Sequence, residues 1–314
     1  MKTLKFKGVW CSIIAAITYG TNPLGALNLY AEGINPDSVL FYRYGLSVVI
    51  LAIIMLAKKT SFRLSKKELM VSSILGAIFA ISSLSLFISF QHIDAGIAST
   101  ILFIYPVMVS GIMTTFFKEK LTPVIIISTL LALSGIGLLY QPNGSQTMSS
   151  VGVFLVLVSA LSYAIYIVVV NKSGINLSPI KLTFYVMLFG CLTILIHSVS
   201  NPNEHIQLLS TWSSWGWALM LAVFPTVISL VLMVIAVKEI GSTPTAIMGA
   251  LEPVTAIIIG VSIFNEAFTP ALAWGISLIL LAVMLIISSE SINRHINHWL
   301  KHSKVNNTKP KLGI

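Results

Sequence analysis

Apolar residues fill the chain in stretches long enough to form membrane helices, separated by short polar or basic breaks. A hydrocarbon core about 30 Å thick takes roughly 20 apolar helical residues. Windows of that size predict ten spans, near 8–29, 38–57, 69–90, 97–117, 122–140, 152–171, 180–199, 215–237, 243–264 and 270–289. The expected fold is an all-α membrane protein with ten transmembrane helices. Loops between spans are tight, and the polar, breaker-rich run from Gln141 to Gln146 marks the one clear internal boundary.

The pattern occurs twice. At a constant offset of 147, Pro106 maps to Pro253, Phe117 to Phe264, Glu119 to Glu266 and Thr122-Pro123 to Thr269-Pro270. Ile93 then maps to Ile240 and Ser82 to Ser229, while near offset 144 Gly8-Val9 recurs as Gly152-Val153 and Tyr19 as Tyr163. Two like units are therefore expected, 8–140 and 152–289, joined by an outer linker at 141–151 and followed by a basic tail at 290–314. Five spans per unit is an odd number, so the second unit should enter the membrane in the opposite sense to the first. Inverted repeats about an axis in the membrane plane are a recurrent plan of secondary transporters, with the substrate site near the midplane.

Composition supports the membrane reading and charge orients it. The 314 residues are 56% hydrophobic and only 9% charged, with a mean hydropathy of +0.93. That is too few polar side chains to cover a soluble globule of this size. The net charge of +9 could suggest nucleic acid, but with the N-terminus in the cytosol all of the 19 Lys and Arg residues except Arg43 fall on the cytosolic side. Both termini are predicted cytosolic, no nucleic-acid partner is implied, and the tail from Arg294 to Lys311 reads as a solvated topology-setting segment, with docking on anionic lipid as the alternative. The first apolar run reads as a retained helix rather than a signal peptide. Cys11 and Cys191 both lie in spans, so no disulfide framework or metal site is expected. No nucleotide-binding or hydrolase motif is present, so neither ATP-driven pumping, enzymatic activity nor a cofactor is expected.

Polar groups inside spans should face other helices or a cavity. Ser12, Ala15, Tyr19 and Asn22 fall on one helical face, as do Ser159, Tyr163 and Tyr166 in the sixth span and Ser82, Ser85 and Ser89 in the third. Tyr19, Asn22, Ser82, Tyr105, Tyr163, Tyr166 and Glu252 are the candidate substrate-binding residues. Ser and Thr also serve ordinary helix packing, which competes with that reading for the serines. Pro23, Pro106, Pro225 and Pro253 sit inside spans, and the matched pair Pro106 and Pro253 is the candidate hinge. Two charges are intramembrane, Glu252 near the midplane and Arg43 nearer the outer face. Glu252 could take an amino group or a coupling proton and Arg43 a carboxylate, or each could be satisfied locally, or the two could pair structurally. Glu119 and Glu266 precede Thr-Pro and suit the start of the next helix. His197 is a candidate proton carrier or a neutral hydrogen-bonded group.

These residues resemble the EamA family of the drug/metabolite transporter superfamily over nearly the whole chain. The resemblance rests on Tyr19-Gly20-Thr21-Asn22, Phe41-Tyr42-Arg43, the block from Pro106 to Glu119, the run from Ser159 to Tyr166, and Glu252-Pro253 to Glu266. It implies a ten-helix carrier of the bacterial inner membrane with a central cavity between its halves. Its partners would be membrane lipid and a small-molecule substrate, with protons open as coupling ion. Export of amino acids or related metabolites is the expected activity, and import of riboflavin or S-adenosylmethionine the alternative within the family. Tyr19 stands where a Trp is common.

Overall fold

The computed structural model describes residues 6–93, 95–139, 149–201, 205–263 and 269–307, and every regular element among them is helical. The helices are α1 (Phe6–Tyr19), α2 (Asn22–Ala31), α3 (Pro36–Ala57), α4 (Lys66–Ser89), α5 (Ala95–Leu102), α6 (Tyr105–Phe117), α7 (Pro123–Leu139), α8 (Ser150–Lys172), α9 (Pro179–Ser200), α10 (Trp212–Ala222), a π-helical turn (Val223–Ile228), α11 (Ser229–Ile240), α12 (Ser242–Met248), α13 (Leu251–Ile263) and α14 (Pro270–Asn307). Six segments are long and apolar enough to cross a bilayer: α3, α4, α8, α9, α10 through α11, and the first part of α14. Each remaining predicted span coincides with a shorter apolar helix or with two consecutive ones. The helix from Pro270 runs past the predicted span end at 289, to Asn307. Phe264, Glu266 and the segment Gln141 to Gln146 lie outside the described residues.

Two kinds of helix start are present. The long helices begin at capped ends: the side chains of Asn35, Ser65, Ser149, Ser178 and Thr211 each accept a bond from a backbone N–H in the first turn, and Ser65 forms a full capping box with Glu68. By contrast α2 and α6 begin in mid-span with no side-chain cap. Pro23 and Pro106 stand in the first turn of α2 and α6, and Pro253 is the third residue of α13. Proline lacks the N–H that would continue a preceding helix, so each break falls where the chain cannot keep its ladder.

The breaks obey the repeat. The interruption between Leu102 and Tyr105 maps at offset 147 onto Gly249 to Glu252, and the second break lies between Met248 and Leu251. Packing follows the same rule. The end of α4 meets the start of α8, where a Cβ on Gly152 would stand 2.7 Å from Ile93; the end of α11 meets the start of α1, where a Cβ on Gly8 would stand 2.7 Å from the equivalent Ile240. The Ser82 hydroxyl donates to Ser159 O at 3.0 Å, and its equivalent Ser229 donates to Ala15 O at 2.9 Å. Pairs α3 with α9 and α7 with α14 join equivalent elements of the two halves. The outside is apolar, with Ile53, Phe154 and Met284 each about 60% exposed or more (60%, 65% and 61%), as lipid-facing side chains should be.

At one end of the bundle the loop before α10 is tied to the α2–α3 turn. Gln207 N–H donates to Ser38 Oγ at 2.7 Å, Asn35 N–H to Gln207 Oε1 at 2.6 Å, and the Ser214 and Thr211 hydroxyls donate to Glu32. The Ser214 bond foremost, with those from Ser213 and Thr211, holds the Glu32 carboxyl below the usual carboxylate range. Beneath this knot His197 Nδ1 meets the buried Asp37 carboxylate at 2.7 Å.

Candidate functional site

The mid-span breaks converge. Gly20, in the gap between α1 and α2, lies so close to the α12–α13 break that a Cβ there would stand 2.5 Å from the Glu252 carbonyl oxygen. Gly249 accommodates the Tyr105 hydroxyl in the same way, with a Cβ position only 1.8 Å from that oxygen. Tyr105 in turn donates to Ala246 O at 3.2 Å. Thus α1, α6 and α13 touch where each is interrupted, and only glycine allows the approach.

Two small cavities flank this point. The first, about 20 Å³, is lined by Ser12, Tyr105, Tyr163, Ser229, Thr245 and Glu252 among others. The second, about 40 Å³, is lined by Tyr19, Asn22, Leu86, Phe103, Glu252 and Pro253 among others. Such volumes admit a water or a few, not a metabolite. Glu252 borders both. Along α1 the first cavity takes Ser12, Ala15 and Ala16 and the second takes Tyr19, Gly20 and Asn22, so they follow one another along the helix axis. The matched broken helices pass them in opposite senses. From α12 to α13 the chain goes from Thr245 and Gly249 at the first cavity to Pro253 at the second, whereas from α5 to α6 it goes from Ser99 and Leu102 at the second to Tyr105 at the first.

A cluster of rings links the two cavity walls, with Tyr105 and Tyr163 lining the first and Tyr19 the second. Tyr163 stacks on Tyr19 with centroids 5.9 Å apart and on Tyr166 at 6.3 Å, and receives Tyr105 edge-on at 4.9 Å. Phe79 supports Tyr166 at 5.1 Å. Every one of these rings is buried. Of the seven substrate-binding candidates, five line the cavities, Tyr19, Asn22, Tyr105, Tyr163 and Glu252, while Tyr166 lines neither and meets the site only through its ring contact with Tyr163. Ser82 does not line either cavity; its bond to Ser159 makes it a helix-packing group, while its equivalent Ser229 both packs and lines the first cavity. Pro253 borders the second cavity and Pro106 neither.

Arg43 is wholly buried yet outside both cavities. Its Nε donates to Thr226 Oγ1 at 2.7 Å and its Nη2 reaches Pro225 O at 3.5 Å, with the rings of Tyr19, Tyr44 and Phe87 each within 5.9 Å of the guanidinium. It forms no ion pair with Glu252. The cause lies in the π-helical turn. Pro225 has no N–H for the Leu221 carbonyl, so the Thr226 hydroxyl takes that carbonyl at 2.7 Å and Ser47 takes the neighbouring Ala222 carbonyl at 3.1 Å. Arg43 completes the turn from the side of α3. Thr226→Val is accordingly expected to cost about 2–4 kcal/mol, because a buried guanidinium loses its partner. Thermal unfolding in detergent checks this, and Arg43→Met in the same background should recover part of the loss; simple additivity of the two changes would show that the pair is not coupled.

Sequence reasoning missed Thr245, Gly249, Met233 and Phe103. Gly249 was within reach, since offset 147 maps it onto Leu102 beside the first unit's break. Thr245 is polar within a span and Met233 is the repeat equivalent of Leu86 at the second cavity, so both carried a signal, whereas Phe103 carried none.

The sequence pattern of the EamA-like transporter family matches residues 6–141 and again 150–288. An uncharacterized transporter of Archaeoglobus fulgidus is 22% identical over 88% of this chain and 98% of its own length. The uncharacterized transporter YcbK of Bacillus subtilis is 26% identical over 81% of this chain and 84% of its own. A solved crystal structure superposes with a TM-score of 0.73 over 89% of this chain and 96% of its own at 16% identity, which supports the fold alone. With the family pattern matched once in each half, the chain is a multi-pass membrane protein that belongs to the EamA-like transporter family.

Proposed function

We propose that the chain is a secondary carrier of the bacterial inner membrane that moves small zwitterionic metabolites, amino acids foremost, outward by alternating access. One observation carries the reading: Glu252 is a wall common to two cavities that succeed one another along α1. A carrier needs one site that can face either side but not both at once. The occluded rings that link the two cavity walls supply the closed partition, and opening either cavity at the expense of the other would expose Glu252 to that side.

Ten spans with both termini cytosolic fit this reading. The opposite senses in which α5–α6 and α12–α13 pass the site support inversion of the repeats, and the distribution of Lys and Arg supports the orientation. The first cavity then lies toward the cytosol and the second toward the outside, with the Glu32–Gln207 knot at the outer end. Glu252 would hold the substrate's amino group, and the faces of Tyr19 and Tyr163 its carbon skeleton or cationic end. Units 8–140 and 152–289 would rock about the paired breaks at Pro106 and Pro253.

The test is counterflow from proteoliposomes holding the purified chain, using a labelled pool of amino acids, riboflavin and S-adenosylmethionine with and without a pH gradient. Saturable exchange of an amino acid is expected. Exchange confined to riboflavin or S-adenosylmethionine, or no exchange by folded protein, would overturn the substrate class.

A further inference from the structure

Resting on the carrier reading above, we infer that the N-terminus of α2 and the Asn22 side chain form the subsite for the substrate's carboxylate, facing Glu252 across the second cavity. The chain would then take an α-amino acid by both ends.

Asn22 is 4% exposed and lines the second cavity, yet neither its Oδ1 nor its Nδ2 has a hydrogen-bond partner. A buried amide left wholly unpaired costs free energy comparable to lost hydrogen bonds, so a site that retains one is built to pair it with something else. The backbone around it is equally unfilled. α2 is 10 residues long and starts without a side-chain cap or an acidic residue in its first turn. Thr21, in the capping position, turns its hydroxyl back to Thr18 O at 2.7 Å instead. The N–H groups of a helix's first turn have no intrahelical partners, and the helix dipole adds partial positive charge there. Together they are suited to an anion. Pro23 contributes no N–H, which leaves Asn22 Nδ2 and the amides that follow Pro23 to donate.

Arg43 is the obvious rival for the carboxylate, and its placement argues against it. Its Nη1 is also without a partner, but it is absent from both cavity walls, its Nε is committed to Thr226, and three rings enclose its guanidinium. Glu252 and Asn22, in contrast, border the same 40 Å³ space. The two ends of an amino acid thus meet an acid on one side and a set of neutral donors on the other. Such a pair discriminates against amines that lack the carboxylate, because the unpaired donors would stay unpaired.

The experiment compares each exchanging amino acid with the amine left when its carboxylate is removed, phenylalanine with phenethylamine and leucine with isopentylamine, as competitors in the proteoliposome counterflow. The readout is the amine-to-amino-acid ratio of inhibition constants within one preparation, which does not depend on how much protein is folded. In the wild type the amine should compete at least about tenfold more weakly. Asn22→Asp, which places a like charge at the carboxylate position, should cut that preference by about tenfold or reverse it; Asn22→Ser, which keeps a short donor, should fall between. An unchanged ratio in both variants overturns the carboxylate subsite, while persisting exchange that still requires Glu252 leaves the carrier reading intact. Failure of the folded wild type to exchange any amino acid overturns both.

Discussion

Glu252→Gln is expected to lower saturable exchange at least about tenfold while the protein still reaches the membrane and unfolds at nearly the wild-type temperature. The substitution keeps shape and hydrogen-bonding capacity, so the packing of α13 against Gly20 and Tyr105 survives. What it removes is the group's capacity to carry a charge. A charge-assisted bond from a substrate ammonium is worth about 1.5–3 kcal/mol, and its loss alone accounts for a tenfold or greater effect. An ionisable group is costly inside a membrane and its retention there points to use. Glu252 is also placed where no other charge can substitute, because Arg43 is held at the π-helical turn and no further acid borders either cavity among the described residues. Exchange assays on matched amounts of wild type and variant decide the matter. Unchanged kinetics would remove Glu252 from the mechanism.

Tyr163→Ala should have an effect of similar size through packing rather than charge. Tyr163 is the hub of the ring cluster, touching Tyr19, Tyr166, Tyr105 and Phe79. Removing a buried ring typically costs about 3–5 kcal/mol, part of it for the void left behind. Here the void would extend the first cavity toward Tyr19 at the second and tend to join them. The expected signature is a lower unfolding temperature together with leak of substrate that no longer saturates or requires exchange. Tyr163→Phe keeps the ring and should stay close to wild type in both respects. A Tyr163→Ala carrier that loses stability but remains tightly coupled would show that the partition lies elsewhere.

Much of the architecture was legible because the repeat is written in small residues and matched prolines. The repeat equated Gly8 with Gly152 and Ile93 with Ile240, and the structure alone shows that these residues meet crosswise, Gly8 against Ile240 and Gly152 against Ile93. The matched prolines stand just after the two breaks, where a missing N–H is a local property of the sequence. Helical spacing was less informative about neighbours. It placed Ser82, Ser85 and Ser89 on one face but could not say that this face meets α8 rather than a cavity. It also read Ser12 through Asn22 as one continuous surface, whereas the turn at Gly20 and Thr21 divides that surface between two cavities. Arg43 was recognisable as buried, but its role depends on a π-helical turn more than 180 residues away, and nothing in its own neighbourhood encodes that partner.

The central claim is that the two cavities open in alternation around Glu252. It is tested most directly by single cysteines in a background lacking Cys11 and Cys191, one at Thr245 in the first cavity and one at Leu86 in the second. Each is labelled with a membrane-impermeant maleimide from either side of oriented vesicles while exchange is driven by substrate. Thr245→Cys should react only from the cytosolic side and Leu86→Cys only from the outside, and a condition that raises labelling at one should lower it at the other. Labelling of both positions from the same side, or a rise at both together, would contradict alternation and indicate a continuous pore.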